Sequence, residues 1–203
     1  MLADISNNYV YLFNVAKSQL TFMGYLMATL WGVNIVNWFL GSPLNFLGIY
    51  PRSFWGLVGI IFAPILHGNF NHLFFNSIPL FVLGMFILML GQKLFIAVTI
   101  TLAVTEGLLV WIFGRKAIHI GASGVIAGYF GFILALAYFY PTMISLILGF
   151  VTLYYFGSIL LGIFPSSQLI SWESHLAGLA SGVILAYVLW HYPNSELWLL
   201  SIF

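Results

Sequence analysis

The sequence predicts an all-α, multi-pass membrane protein: a bundle of six spanning helices with an interfacial segment after the first. Three observations carry this. Charged residues make up 4% of the 203, hydrophobic residues 63%, and mean hydropathy is +1.10; soluble domains carry about 25% charged residues. The apolar residues fall into six runs, each close to the roughly 20 residues that cross a bilayer core. Between the first two runs lies a stretch too apolar for an ordinary loop and too broken by proline for a span. Five Lys/Arg and four Asp/Glu cannot clothe a water-exposed surface. A soluble globular enzyme, a disordered chain and nucleic-acid binding through a basic patch are thereby excluded. With no cysteine in the chain, so are disulfides, thiolate metal sites and a cysteine nucleophile.

The first run covers 21–40 and contains Asn34 and Asn37. Before it the chain has no basic leader, Asp4 preceding Lys17, so no cleavable signal peptide is expected. Residues 42–66 hold Pro43, Pro51, Pro64 and Arg52, with Phe46, Tyr50, Phe54, Trp55 and Phe62. That composition suits the membrane interface, where Trp and Tyr are favoured. Further spans are expected over about 70–90, 94–113, 121–139, 142–164 and 172–191. Pro141, Pro165 and Pro193 stop the last three. No repeat or appended soluble domain is visible, so 1–203 reads as one membrane domain. Charge does not orient it. A cytoplasmic N-terminus puts Lys17 and Lys93 inside but Arg52, Arg115 and Lys116 outside, which gives the positive-inside rule no support.

Polar side chains inside a bilayer mark function by default. His72 and Asn76 are four residues apart near the start of the second span and share a helix face; His67 lies one turn earlier. Taken alone, this pair fits interhelical hydrogen bonding as well as catalysis. The fourth span opens Gly121-Ala122-Ser123-Gly124, with Gly128, Gly131 and Ala135 continuing the glycine positions along one face. Such a face lets another backbone come close, and packing alone accounts for it when taken in isolation. The sixth span opens with Glu173-Ser174-His175, and His175, Gly178 and Gly182 lie on one face. Pairing the two glycine faces brings His175 towards Ser123. Even-numbered spans all enter from one side, so His72, Asn76, Ser123 and His175 belong to one leaflet. Glu106, in the third span, reads as a neutral, hydrogen-bonded carboxyl facing the bundle rather than a catalytic group.

A serine beside a histidine is the minimum for acyl transfer: the imidazole takes the hydroxyl proton and returns it to the leaving amine. Glu173 is about 200° round the helix from His175 and points away, so a dyad is expected rather than a triad. Asn76, His72 and the Ser123 backbone N–H are the candidate oxyanion donors. Zinc hydrolysis and an aspartyl dyad lack their residues. A haem-binding bundle using His72 and His175 leaves Ser123 and Asn76 without a role. A transporter would more often show paired broken helices or an inverted repeat.

His67, His72 and Asn76 as H-x-x-x-x-H-x-x-x-N, Gly121, Ser123 and Gly124 as G-x-S-G, and His175, Gly178 and Gly182 as H-x-x-G-x-x-x-G occur in the order and on the spans that resemble a rhomboid intramembrane serine protease. The resemblance covers about 20–192. It implies a Ser123 nucleophile, a His175 general base and an oxyanion site from His72, Asn76 and the Ser123 amide. His67 would support the first loop, and Gly121, Gly124, Gly128, Gly178 and Gly182 would support the fold. It further implies cleavage of transmembrane-segment protein substrates near their extracytoplasmic end, with lateral entry past the second and fifth spans beneath a loop before the sixth. No cofactor, metal or nucleic acid is expected, only substrate and lipid bilayer. The N-terminus would be cytoplasmic, and the short tails suggest a bacterial inner membrane. Three positions depart from the family pattern. Ala127 stands where an aromatic often packs on the catalytic histidine. The loop's tryptophan–arginine pair is only Trp55-Gly56 with Arg52 nearby. Leu88 replaces a glutamate of some members. The alternative from another class is a catalytically inactive rhomboid-like protein that binds transmembrane helices.

Overall fold

The computed structural model describes residues 2–165 and 171–191, with side chains described from 14 onward. Among them the architecture is helical, with one isolated antiparallel bridge between Ile49 and His119 and no strands. Helix α1 spans Leu2–Phe39. The sequence reading started this span at 21, and the helix starts nineteen residues earlier. No glycine or proline occurs before Gly24, and polar residues lower hydropathy without breaking a helix. At about 1.5 Å per residue the 38 residues reach about 57 Å, well beyond a hydrocarbon core of about 30 Å.

Gly41 and Ser42, with φ of 82° and 66°, turn the chain out of α1. The interfacial segment then advances in short pieces: 3₁₀ turns at Pro43–Leu47 and Trp55–Leu57, one helical turn α2 (Gly59–Phe62), and a 3₁₀ turn at Ala63–Ile65. Phe46, Phe54, Trp55 and Ile61 project from it, exposed.

Helices α3 (Phe70–Met89), α4 (Gln92–Phe113), α5 (Ser123–Phe139), α6 (Met143–Phe156) and α7 (Trp172–His191) follow. α3 begins at Asn69, whose Oδ1 accepts the His72 N–H at 2.9 Å. α6 begins with a reciprocal cap between Thr142 and Ser145 and continues as a 3₁₀ stretch, Gly157–Ile163. The fifth expected span is therefore an α-helix that tightens at Gly157. Pro193, expected to stop the last span, lies outside the described residues. Among the described residues, four helices are long and apolar enough to cross a membrane: α3, α4, α6 with its 3₁₀ extension, and α7. α5 has 17 residues. It is the innermost helix, with Val125 to Ile133 buried without interruption, and an all-round apolar helix belongs in such a place.

α5 and α7 make the most extensive helix–helix contact. A Cβ on Gly178 would collide with the Gly124 carbonyl oxygen, and one on Gly182 with that of Gly128. Gly131 fits the same seam, where its Cβ would lie 2.6 Å from the Leu179 carbonyl oxygen. Gly121 does not share this face. It precedes α5 with φ of 120°, so helical spacing does not apply to it.

Adding a methyl to this seam forces backbone apart, because the obstacle is a carbonyl rather than a flexible side chain. Gly178→Ala should therefore destabilise the fold by about 1–3 kcal/mol. Gly24→Ala, where no atom lies within 4 Å of the added Cβ, should leave it unchanged or slightly stabilised. Thermal unfolding in detergent compares the two, and equal midpoints would contradict the packing account.

Candidate active site

The interfacial segment is fastened to the connection between α4 and α5. Ile49 and His119 exchange backbone hydrogen bonds of 3.0 and 2.9 Å, and the Gly121 N–H donates to the Ala63 carbonyl at 2.9 Å. At the far edge Arg52 donates through its backbone to Trp111 and through its guanidinium to Ile112, while Trp111 Nε1 donates to Ser53. The two asparagines of α1 hold the near edge. Asn37 bonds Asn45 and the Leu44 N–H; Asn34 donates to the Leu30 and Ile65 carbonyls and accepts the His67 N–H at 2.7 Å.

His67 is fully buried and joins this segment to the site. Its Nδ1 faces the Ile65 carbonyl at 3.3 Å and carries the proton. Nε2 is left to accept from Asn76 Nδ2 at 3.1 Å and from the Ala122 N–H at 3.4 Å. The Trp38 indole donates to its carbonyl. Burial, reinforced by the His72 ring 4.9 Å away, pushes His67 from its ordinary 6.5 down to about 4. It is a neutral acceptor, which the two N–H donors require.

His72 and Asn76 converge on Gly121. A Cβ there would lie 2.6 Å from His72 Nε2 and 3.5 Å from Asn76 Nδ2. With φ of 120° as well, the position excludes any side chain on both counts. Two residues on, Ser123 is the first residue of α5, where a backbone N–H has no intrahelical acceptor.

Ser123, His175 and Asn76 line one cavity of about 320 Å³. Phe75, Ile78 and Pro79 of α3 wall it on one side and Phe156, Ser158 and Ile159 at the end of α6 on the other, with Ile126 below Ser123. Ser123 and His175 share this space without a hydrogen bond between them, and His175 Nδ1 has no hydrogen-bond partner among the described residues. The His175 ring lies directly on Gly162: a Cβ there would collide with Nδ1 and lie 2.8 Å from Cε1. Gly162 is thus a direct neighbour of the histidine, while position 127, where the family often carries an aromatic, holds alanine. Ala127 is fully buried, and Tyr129 turns away to Thr99, their hydroxyls 2.6 Å apart. Sequence reasoning missed Gly162, which is one of three glycines in the fifth apolar run and carries no further signal.

Glu106 is buried against Gly124, where a Cβ would lie 2.5 Å from its Cδ. Glu173 points elsewhere and pairs with Arg115, Nε to Oε1 at 3.7 Å. Leu88 is in the apolar core. The loop before the sixth span, 166–170, lies outside the described residues. A second, almost wholly apolar cavity of about 400 Å³ lies across α5, lined by Ala122, Val125 and Tyr129. It contains neither Ser123 nor His175.

A bundle of apolar helices around a glycine-seamed pair, with serine and histidine on one cavity, defines a class of membrane-embedded site. The chain belongs to the rhomboid family: the Rhomboid domain model matches residues 51–192. It is 38% identical over 172 residues to uncharacterized proteins of Mycobacterium tuberculosis and Mycobacterium bovis, covering 80% of this chain and 72% of theirs. It is 30% identical over 191 residues to a Bacillus subtilis protein named "Putative rhomboid protease YdcA", covering 83% of this chain and 86% of that one. With four apolar helices of spanning length, family membership makes this a multi-pass membrane protein.

The state of His67 gives a pH prediction. The folded protein holds the imidazole neutral to about pH 4, whereas the unfolded chain protonates it near 6.5. The unfolded state thus binds the extra proton within that window. Stability should fall by up to roughly 3 kcal/mol as pH drops from about 6.5 to about 4. His67→Gln should flatten the slope while lowering stability at pH 7. An unchanged slope in that variant would reject His67 as its origin.

Proposed function

We propose that the chain is an intramembrane serine endopeptidase in which Ser123 attacks the scissile carbonyl and His175 is the general base. The observation that carries this reading is that both residues open, with Asn76, onto one cavity. In that cavity His175 takes the Ser123 hydroxyl proton as Oγ bonds the carbonyl carbon. The tetrahedral oxyanion receives the Asn76 amide N–H that His67 leaves free, the His72 ring N–H across Gly121, and the Ser123 backbone N–H. His175 then protonates the leaving amine, and water hydrolyses the acyl-enzyme by the same steps.

The spans of this reading are α1, α3, α4, α5, α6 with its 3₁₀ extension, and α7, forming one domain over 1–203. The substrate is a transmembrane segment of another protein, cut near its extracytoplasmic end. The cavity walls support entry between α3 and the end of α6. The protein sits in a bacterial inner membrane with its N-terminus in the cytoplasm. A peptide bond in a spanning helix is shielded by its own hydrogen bond, so the substrate must unwind locally, and helix-weakening residues near the cut favour this. The missing Ser123–His175 hydrogen bond is the one observation favouring a helix-binding protein that does not cut. Catalytic hydrogen bonds are often long without substrate, and labelling by a serine-reactive fluorophosphonate decides between the two.

Incubated with a single-span substrate, Ser123→Ala and His175→Ala should each yield no product by mass spectrometry while retaining the wild-type unfolding midpoint. Asn76→Ala should lower the rate by about 10²–10³. Activity within tenfold of wild type in either dyad variant would reject the assignment.

A further inference from the structure

Four polar side chains line the cavity that Ser123 and His175 share: those two, Asn76 and Ser158. Three of them have roles in the proposed chemistry, and Ser158 has none. It lies in the 3₁₀ stretch Gly157–Ile163, is exposed, and has no hydrogen-bond partner among the described residues. Three hydroxyls elsewhere in the spans are held by their own helix: Ser77, Thr99 and Thr105 each donate to the carbonyl four residues back. Ser158 does not copy this, because α6 ends at Phe156, where φ is −120°. The carbonyl four residues back, that of Tyr154, is thereby out of α-helical step with it. Thr152 and Ser181 also lack partners among the described residues, but both are buried and neither lines this cavity.

The opposite wall has the complementary feature. Pro79 lies inside α3 and has no N–H, so the Phe75 carbonyl, four residues earlier, lacks its intrahelical donor. Phe75 and Pro79 both line the cavity. One wall thus carries a carbonyl without its helical donor, and the other a hydroxyl without an acceptor. A spanning segment opened for attack presents carbonyls and N–H groups with the same lack, and each must find a partner away from bulk water.

We infer that Ser158 is a substrate-binding residue whose hydroxyl donates to a main-chain carbonyl of the unwound substrate segment. Its meaning for cleavage rests on the reading of the cavity as a peptidase site; holding an opened segment does not require that the segment be cut. The other α6-side residues of the cavity, Phe156 and Ile159, offer only apolar contact. Ser158 is therefore the side chain on that wall able to tell an opened backbone from a closed helix. A closed helix keeps its carbonyls occupied and gains nothing from the hydroxyl. Threonine keeps the hydroxyl, and valine has threonine's shape without it.

Binding can be read without proteolysis. In the full-length protein carrying Ser123→Ala, which removes the proposed nucleophile, fluorescence anisotropy in detergent gives the Kd of a labelled synthetic single-span peptide with Gly and Pro near one end of its span. Adding Ser158→Val should raise Kd about three- to tenfold, the size of one hydrogen bond. Ser158→Thr should stay close to the parent. Ser158→Ala, which adds no bulk, should show the same loss as Ser158→Val and covers the case in which that variant does not fold. A series of peptides with one amide at a time replaced by an ester weakens one carbonyl acceptor in each. At the position that Ser158 holds, the ratio of Kd between Ser158→Val and Ser158→Thr should fall to about one. Equal Kd for these two variants with the all-amide peptide overturns the inference even if Ser123→Ala abolishes proteolysis. A ratio that persists through the whole ester series also overturns it, because the hydroxyl then acts on something other than the substrate main chain. Weakened binding that a single ester cancels, in a protein that with Ser123 intact never cleaves the peptide, keeps the binding role and rejects the protease reading alone.

Discussion

The carbonyl of Gly124 occupies the space in which any other residue at 178 would carry its Cβ, and the rest of the molecule is arranged around that contact. Lipid tails are as apolar as leucine, so no hydrophobic force draws two spans together within a bilayer; close backbone packing and polar contacts must do it. The glycine seam lets α7 lie on α5 at backbone distance. Because Ser123 opens α5 and His175 lies in the first turn of α7, the same contact brings both to one cavity. α5 is then enclosed by α3, α4, α6 and α7, which explains why a helix of 17 residues with no polar face lies at the centre.

A second constraint shapes the other side of the site. Backbone outside continuous α-helix, at or near the membrane, must satisfy its polar groups within the protein, and residues 42–69 form only short turns and extended links of this kind. Asn34, Asn37 and Trp38 of α1 and Trp111 of α4 supply side-chain partners, and His119 supplies backbone ones. Polar residues in the first span, which look like a defect in an apolar run, are therefore anchors for the segment that follows. His67 ends this chain of contacts. It is held through Asn34 on one side, and on the other it orients Asn76 and the Ala122 N–H.

What could be read from the sequence followed punctuation and spacing. The prolines and the apolar runs bracket several helices closely: α3 and α7 begin at the expected residues, and the three motifs identify the family. Errors arose where a local rule was extended past its domain. Hydropathy located the apolar part of α1 but is silent on helix length, so the preceding helical turns went unseen. Helical offset counting put Gly121 on the seam, yet the helix starts two residues later, and the glycine is required by His72 and by its backbone angle instead. The support of His175 by Gly162 joins residues thirteen apart through a 3₁₀ stretch, a relation with no periodic signature. Glu106 was visible as an oddity, but its contact with Gly124 depends on how α4 and α5 pack.

The site's position at one end of the helices has an electrostatic reason as well as a topological one. Asn76, Ser123 and His175 share a cavity although they come from three helices, and each lies within the first two turns of its own. These are the helix ends that carry unpaired N–H groups and partial positive charge, an effect confined to about the first turn. Such an environment favours an oxyanion, so in the proposed chemistry it stabilises the tetrahedral intermediate. α6 and its 3₁₀ extension meet the cavity from the other end with Phe156, Ser158 and Ile159. That wall is mostly apolar and carries one hydroxyl, whereas Asn76, Ser123 and His175 face it from the helix N-termini. A substrate entering from lipid past that wall would meet most of the hydrogen-bonding groups where its carbonyl must become charged.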